Sequence, residues 1–362
     1  MKRKLMLILI GTLLALTACR IKGPVPAPVT PTPTSPRALR VMTHDSFAIS
    51  GEVIAAFEEQ YNAKVEILEA GDAGVMLSQA ILSAGNPQAD VLYGVDNTFL
   101  SRALAGNIFE PYASPLLDEI PDHLKLDPQN RVLPVDYGDV RLNYDKAWFE
   151  ERGLAPPANL EDLIKPEYKS LTVVEDAASS SPGLAFMLAT IGHFGEAGDY
   201  TWLDYWADLR ENDVLVASDW ENAYYGYFTA GSGGEGDRPI VASYASSPPA
   251  AVYYAEEPLE EAPTAAVVGD GSCFRQIEFV GILKGAENRD LAEQWIDFML
   301  GTTFQEDIPL NMFMFPANAD AALPDVFAKH AAIPEHPAEV DYAAIEANRE
   351  AWVEAWTETV LR

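Results

Sequence analysis

Apolar and polar positions follow two rhythms along this chain, one of period two and one near 3.6. Residues 38–43 read as a strand that stops at His44-Asp45-Ser46. In residues 52–61, Val53, Ile54, Phe57 and Tyr61 recur at helical spacing with charges between them. Residues 64–68 alternate as a second strand, 75–84 form a second helix, and 89–94 are a buried strand ending at Val95-Asp96-Asn97. Strand, helix, strand, helix, strand is the signature of a parallel sheet with helices on its faces. Polar residues just past the strand ends lie where open α/β sheets bind ligands.

The alternation resumes further on. Residues 131–138, 171–174, 214–216, 239–243 and 276–283 read as strands. Residues 184–191, 202–209, 289–300 and 342–361 read as helices. No internal repeat is present. Two crossovers, near Val132 to Tyr137 and Arg275 to Val280, place residues 38–134 with 276–320 in a first lobe. Residues 135–275 with 321–362 form a second. The expected class is α/β, a two-lobed clamp with a mixed, mainly parallel sheet in each lobe, closing on a ligand in the cleft.

The residues before 38 follow neither rhythm. Lys2, Arg3 and Lys4 precede an apolar run over residues 5–16, too short for a membrane span and suited to a signal peptide. Leu16-Thr17-Ala18-Cys19 resembles the lipobox of bacterial lipoproteins, which makes residues 1–18 the signal peptide and Cys19 the lipidated terminus. Residues 19–37, Pro-rich and nearly uncharged after the first few, suit a semi-rigid tether. An ordinary signal peptide with an incidental cysteine is the alternative. The expected place of work is outside the cytoplasmic membrane, at its outer face or in the periplasm.

Composition narrows the function classes. Twenty-four basic residues against 55 acidic give a net charge of -31. A field of that sign repels nucleic acid and favours cationic ligands. The same acidity also suits a merely soluble, exported surface. Cys19 and Cys273 are the two cysteines, so a lipidated Cys19 leaves no disulfide framework. The histidines (His44, His123, His193, His330, His336) show no metal-ligand spacing, and neither HExxH nor a G-x-S-x-G elbow occurs. No metal or cofactor is expected. The Gly-rich stretch 231–237 lacks the Lys-Ser/Thr ending of a P-loop.

Candidate ligand chemistry concentrates in aromatic and hydroxyl clusters. Ser179, Ser180 and Ser181 precede a helix start, where they either donate to an anion or carbonyl or simply cap the helix. Trp220, Tyr224, Tyr225, Tyr227 and Phe228 fall in one short stretch, with Tyr244 soon after. Met312 to Pro316 adds Phe313 and Phe315. Rings beside carboxylates (Asp45, Asp96, Asp136, Glu221) suit a flat cation through stacking and cation–π attraction. Tyr227, Phe228 and Phe315 read instead as core. Trp220, after a strand end and an Asp, reads as projecting into a cleft.

Read together, these segments resemble the periplasmic thiamine-binding proteins of ABC transporters, within the iron- and thiamine-type solute-binding group. The resemblance rests on Thr43-His44-Asp45-Ser46-Phe47, on Ala89-Asp90-Val91 with Gly94-Val95-Asp96-Asn97, and on Val135-Asp136-Tyr137-Gly138 with Asn143-Tyr144-Asp145-Lys146. Ser181-Pro182-Gly183-Leu184, the run from Asp219 to Tyr224, Ser243-Tyr244 with Ser247-Pro248, and Met314-Phe315-Pro316 complete it. It implies a periplasmic-binding-protein clamp of type II holding thiamine or a thiamine phosphate between its lobes. Trp220, Tyr224 and Tyr244 would line the ligand, with Ser180 and Ser181 at its hydroxyl or phosphate end. His44, Asp45, Asp96 and Asp136 would lie in the cleft. His44 stands where better-known members carry tyrosine, and Phe313 where they carry tryptophan. The implied partners are the ligand, an ABC permease with its ATPase, and the membrane through the lipid, for a monomer that binds no nucleic acid. A ferric-ion binder of the same fold group is the alternative, drawing on Tyr224-Tyr225. An exported serine hydrolase using residues 179–181 is the third reading, and it lacks an identifiable base.

Overall fold

Among the described residues eleven strands form one hydrogen-bonded sheet. The computed structural model describes residues 35–332, 334 and 336–362; the signal peptide, Cys19 and nearly all of the tether expected from the sequence lie outside them. The strands are β1 (Arg37–Thr43), β2 (Ala63–Glu69), β3 (Val91–Asp96), β4 (Phe109–Glu110), β5 (Leu133–Asp145), β6 (Thr172–Glu175), β7 (Leu215–Ala217), β8 (Ile240–Tyr244), β9 (Thr264–Ala266), β10 (Cys273–Leu283) and β11 (Phe315–Pro316). The main path runs β2-β1-β3-β10-β5-β8-β6-β7, with β4 on β10 and β9 and β11 on β5.

Two parallel clusters flank an antiparallel centre. β1 pairs in parallel with β2 and β3, and β6 with β7 and β8. Between them β10 and β5 run antiparallel to each other and to their outer neighbours β3 and β8. The two stretches read as crossovers from the sequence lie in these joining strands. In the middle of β10 Glu278 stands opposite Asp136 near the start of β5, and the register of β10 shifts immediately after Glu278. A bulge there twists the strand locally and re-aims side chains.

Local signals account for several of the helices around the sheet. Ser50 caps Gly51–Tyr61 by accepting from the Val53 amide at 3.3 Å, and Asn62 closes that helix at φ 47°. Thr201 and Asp204 form a reciprocal capping box at the start of Trp202–Glu211. The Ser181–Phe194 helix is apolar all round and buried through Ile191, since the sheet and neighbouring helices cover every side of it. The C-terminal helix Tyr342–Val360 packs on Trp202–Glu211 through Trp356 and Trp206, whose rings meet edge to face at 5.5 Å. Cys273 is buried with a free thiol, which burial pushes up to about 11. Among the described residues no helix is long and apolar enough to cross a membrane.

Candidate functional site

A cavity of about 370 Å³ opens where the strand ends of both parallel clusters converge on the middle of β10. His44 and Asp45 reach it from the end of β1, and Asp72 from the turn after β2. Ser181 reaches it from the first turn of its helix, Trp220 from just past β7, and Tyr244 from the end of β8. Gln276 and Glu278 form part of the lining from β10 itself.

Glu278 organises one side of the cavity. Its Oε1 lies 3.6 Å from His44 Nε2, an ion-pair distance longer than a hydrogen bond. Burial works hardest against charge on His44, but Glu278, joined by the charges of Asp72 and Asp45, outweighs it, so the imidazole is held above its ordinary value. Tyr93, fully buried, reaches Glu278 Oε2 at 2.9 Å and also bonds Asp136 Oδ2. One phenolic proton cannot serve two carboxylates. Burial and the charge of Glu278 push Asp136 well above the usual carboxylate range, while His44 and Tyr93 keep Glu278 ionised against its burial. The Tyr93 hydroxyl lies within donating reach of both carboxylates, with Asp136 held towards its neutral form and Glu278 towards its ionised form opposite His44. Gly94 makes this possible. At φ 98° it sits flat under the His44 ring, and a Cβ there would come within 2.2 Å of His44 Cδ2.

Gln276 ties the next two functional groups together. Its amide nitrogen donates to Ser181 Oγ at 3.0 Å, and its oxygen accepts from Tyr244 OH at 3.1 Å. Gly138, opposite Gln276 on β5, leaves the space that Tyr244 and Met314 fill; a Cβ there would stand 3.0 and 2.8 Å from them. Ser181 Oγ is thus held by an amide, not by an imidazole that could act as a base.

The aromatic wall follows from an unusual local backbone. Residues Asn222–Tyr227 form a π-turn, closed by the Phe228 amide donating to the Ala223 carbonyl at 3.0 Å. The wider turn sets two consecutive tyrosines beside Trp220. Tyr224 stacks on it at 5.1 Å and 23°, and Tyr225 meets it edge-on at 5.5 Å. Trp220 Nε1 donates to Ser243 Oγ at 2.9 Å, which in turn contacts Ser247 Oγ at 2.9 Å. Opposite, Phe313 holds a left-handed φ of 55° and stacks on Phe327 at 5.9 Å. Such strain in an aromatic residue persists only where packing imposes it.

The structure brings His44, Asp45, Ser181, Trp220, Tyr224, Tyr244 and Phe313 to the cavity. It does not bring Asp96, Asp136 or Ser180, all fully buried, to its surface. Asp96 folds back on its own turn, accepting from Thr98 Oγ1 at 2.6 Å and from the Thr98 and Phe99 amides at 2.8 and 3.2 Å. Burial pushes it up to about 7. Asp136 lies behind the cavity wall, beneath Tyr93. Phe228 and Phe315 are core as expected, but Tyr227 is 40% exposed, because the π-turn rotates it away from the ring cluster.

Sequence reasoning passed over Asp72, Gln276 and Glu278. For the last two a signal exists: two polar residues at period two in an otherwise apolar strand share one face of it. Asp72 sits at a strand end before a helix, the same kind of position as Asp45. Four carboxylates (Asp45, Asp72, Glu221, Glu278) line the cavity, and among the described residues neither Lys nor Arg does. Burial first, then the neighbouring charges of Asp45, Asp219 and Glu69, raises Glu221. Among the described residues no three His, Cys, Asp or Glu side chains converge to hold a metal ion.

Residues 86–335 match the family described as bacterial extracellular solute-binding protein. The thiamine-binding periplasmic protein of Salmonella typhimurium is 29% identical over 331 residues, spanning 90% of this chain and 94% of that one. A solved structure titled periplasmic thiamin binding protein superposes with a TM-score of 0.77 at 25% identity, covering 91% of this chain and all of the other. The ferric binding protein from Campylobacter jejuni, 19% identical, shares the fold with a TM-score of 0.71 over 89% of this chain and 99% of its own.

Proposed function

This chain belongs to the bacterial extracellular solute-binding protein family, and we propose that it captures thiamine for an ABC importer. The observation that carries this reading is the cavity's combination of a stacked aromatic wall with four carboxylates and neither Lys nor Arg among its described lining residues. Thiamine is a flat heterocyclic cation. Rings supply stacking and cation–π attraction, while carboxylates offset its charge in a partly desolvated site. Similarity to thiamine-binding relatives over nine-tenths of the chain supports the same ligand.

In this reading residues 38–134 with 276–320 and residues 135–275 with 321–362 act as two lobes that close on the ligand. His44, Asp45, Ser181, Trp220, Tyr224, Tyr244 and Phe313 contact it. Asp96 and Asp136 support the site from behind, and Ser180 from the helix start. Residues 1–18 direct export, and lipid on Cys19 holds the carrier beside its permease and ATPase, where a tether raises its local concentration.

Calorimetric titration of the purified protein with thiamine, thiamine monophosphate and thiamine pyrophosphate tests the ligand. Saturable binding of one or more is expected, and no heat with any of them sinks the reading. A ferric site built on Tyr224-Tyr225 would instead give a chelator-sensitive tyrosinate absorption band. Membrane fractionation of the wild-type and Cys19→Ser chains tests the tether; equal distribution of the two between membrane and soluble fractions would discard it.

A further inference from the structure

Tyr254 stands between the cavity and solvent. Pro248 and Pro249 fall in the first turn of the short helix Ser247–Tyr253, and the Tyr254 amide closes that helix by donating to the Ala250 carbonyl at 3.0 Å. The residue lines the cavity and is nevertheless 63% exposed, which puts its phenol at the mouth rather than in the wall. Its ring meets Phe313 at 5.3 Å and 58°. Its hydroxyl donates to the Leu310 carbonyl at 3.4 Å, a long hydrogen bond and an easily broken one.

Both contacts cross the cleft of the two-lobed division proposed above, with Tyr254 in the second lobe and Leu310 and Phe313 in the first. Among the described residues, every ring that meets Phe313 comes from the second lobe: Tyr253 at 6.1 Å, Tyr254 at 5.3 Å and Phe327 at 5.9 Å. Phe313 keeps its left-handed φ of 55° within that grip. Tyr225 narrows the mouth from the wall of Trp220, which it meets edge-on while lining the cavity at 56% exposure. Burial, then the charges of Glu221 and Tyr254, raise the Tyr225 phenol, so the two exposed tyrosines lie within electrostatic reach of each other.

We propose that Tyr254 is a latch across the cavity mouth: by gripping Leu310 and Phe313 it sets how fast the ligand enters and leaves. This rests on the two-lobed thiamine reading above and adds to it a residue that governs exchange rather than affinity. One ring pair and one long hydrogen bond hold the latch, so it can open while the buried contacts of Glu278 and Gln276 behind it stay made. A latch that closes on the empty and the filled cavity alike slows entry and exit by the same factor. A side chain that only touches the ligand slows exit alone.

Stopped-flow fluorescence of the full chain and its Tyr254→Ala and Tyr254→Phe variants with thiamine tests the proposal, with thermal melting to verify folding. Tyr254→Ala loses both holds. Its association and dissociation rates are expected to rise together by about tenfold, the scale of one hydrogen bond with one ring pair, while Kd changes less than about threefold. Tyr254→Phe keeps the ring and is expected to fall between Tyr254→Ala and wild type. Faster dissociation alone makes Tyr254 a ligand contact and overturns the latch, as do rates that stay at wild-type values. Acrylamide quenching of Trp220 in the ligand-free protein, isolated by difference from the matching Trp220→Phe chains, reads the mouth independently. It is expected to rise in Tyr254→Ala, and equal quenching overturns the latch. Failure of thiamine to bind the wild type overturns the functional reading, and the quenching comparison then decides the latch by itself.

Discussion

His44 Nε2 faces Glu278 Oε1 at 3.6 Å, from the end of β1 to the middle of β10, across the intervening strand β3. The pair places one positive and one negative group in the same buried wall, with Tyr93 and Asp136 behind the carboxylate. Removing Glu278 leaves an imidazole whose remaining dominant influence is burial, which disfavours its charge. In Glu278→Gln the His44 titration, followed by proton NMR, is expected to fall from above the ordinary histidine value to below it. An unmoved His44 titration would refute the pairing.

Trp220 carries the aromatic wall. Trp220→Ala removes a stacking face and leaves Ser243 without its indole donor, at a cost of about 1–3 kcal/mol in binding, or roughly tenfold to a hundredfold in Kd. Trp220→Phe keeps a ring and recovers part of that loss. Thiamine titrations of both variants by calorimetry check the order, wild type above Phe above Ala.

Stability should fall as pH rises through the weakly acidic range. Burial raises Asp96 to about 7 and Asp72 to about 6. Between about pH 4 and 7 the folded chain therefore holds a proton on Asp96 that the unfolded chain has released. Stability is greatest at the acid end of that window and declines towards neutrality, by up to about 4 kcal/mol for the Asp96 shift. His44, raised as well, adds to the same trend, because its contribution is complete below its ordinary value and lost as pH climbs through the raised one. Thermal melts from pH 5 to 8 should show Tm falling. Asp96→Asn, which retains the acceptor for Thr98, flattens the slope; a slope identical to wild type counts against the assignment.

Gly94 cannot be replaced cheaply. A Cβ in its left-handed backbone would collide with His44, so Gly94→Ala is expected to destabilise the protein by about 2–4 kcal/mol and to displace the imidazole. Urea unfolding measures the first effect and ligand titration the second.

Much of the architecture was legible because it is written in local period. The strands at 38–43 and 64–68 and the helix at 289–300 fell within a residue or two of their observed bounds, since one apolar face repeats along each. β5 was harder. Its 13 residues extend to Asp145, well past the eight read as extended, because a strand buried among several neighbours no longer alternates. The site was legible where a residue follows a strand end before an interruption, as His44, Asp45 and Trp220 do. Asp96, expected at the cleft from its strand end, and Asp136, expected there from the family resemblance, lie buried and do not line the cavity.

From the sequence alone came the α/β class, the expectation of export, the acidic and aromatic chemistry, and the family resemblance, all properties of neighbouring residues or of composition. Tertiary structure alone decided which carboxylates line the cavity and which lie behind its wall. Asp72 meets Ser181 across 109 residues, and Glu278 meets His44 and Asp136 through strand order and a bulge. Such contacts depend on how distant segments pair in a sheet, and local spacing carries no record of that pairing.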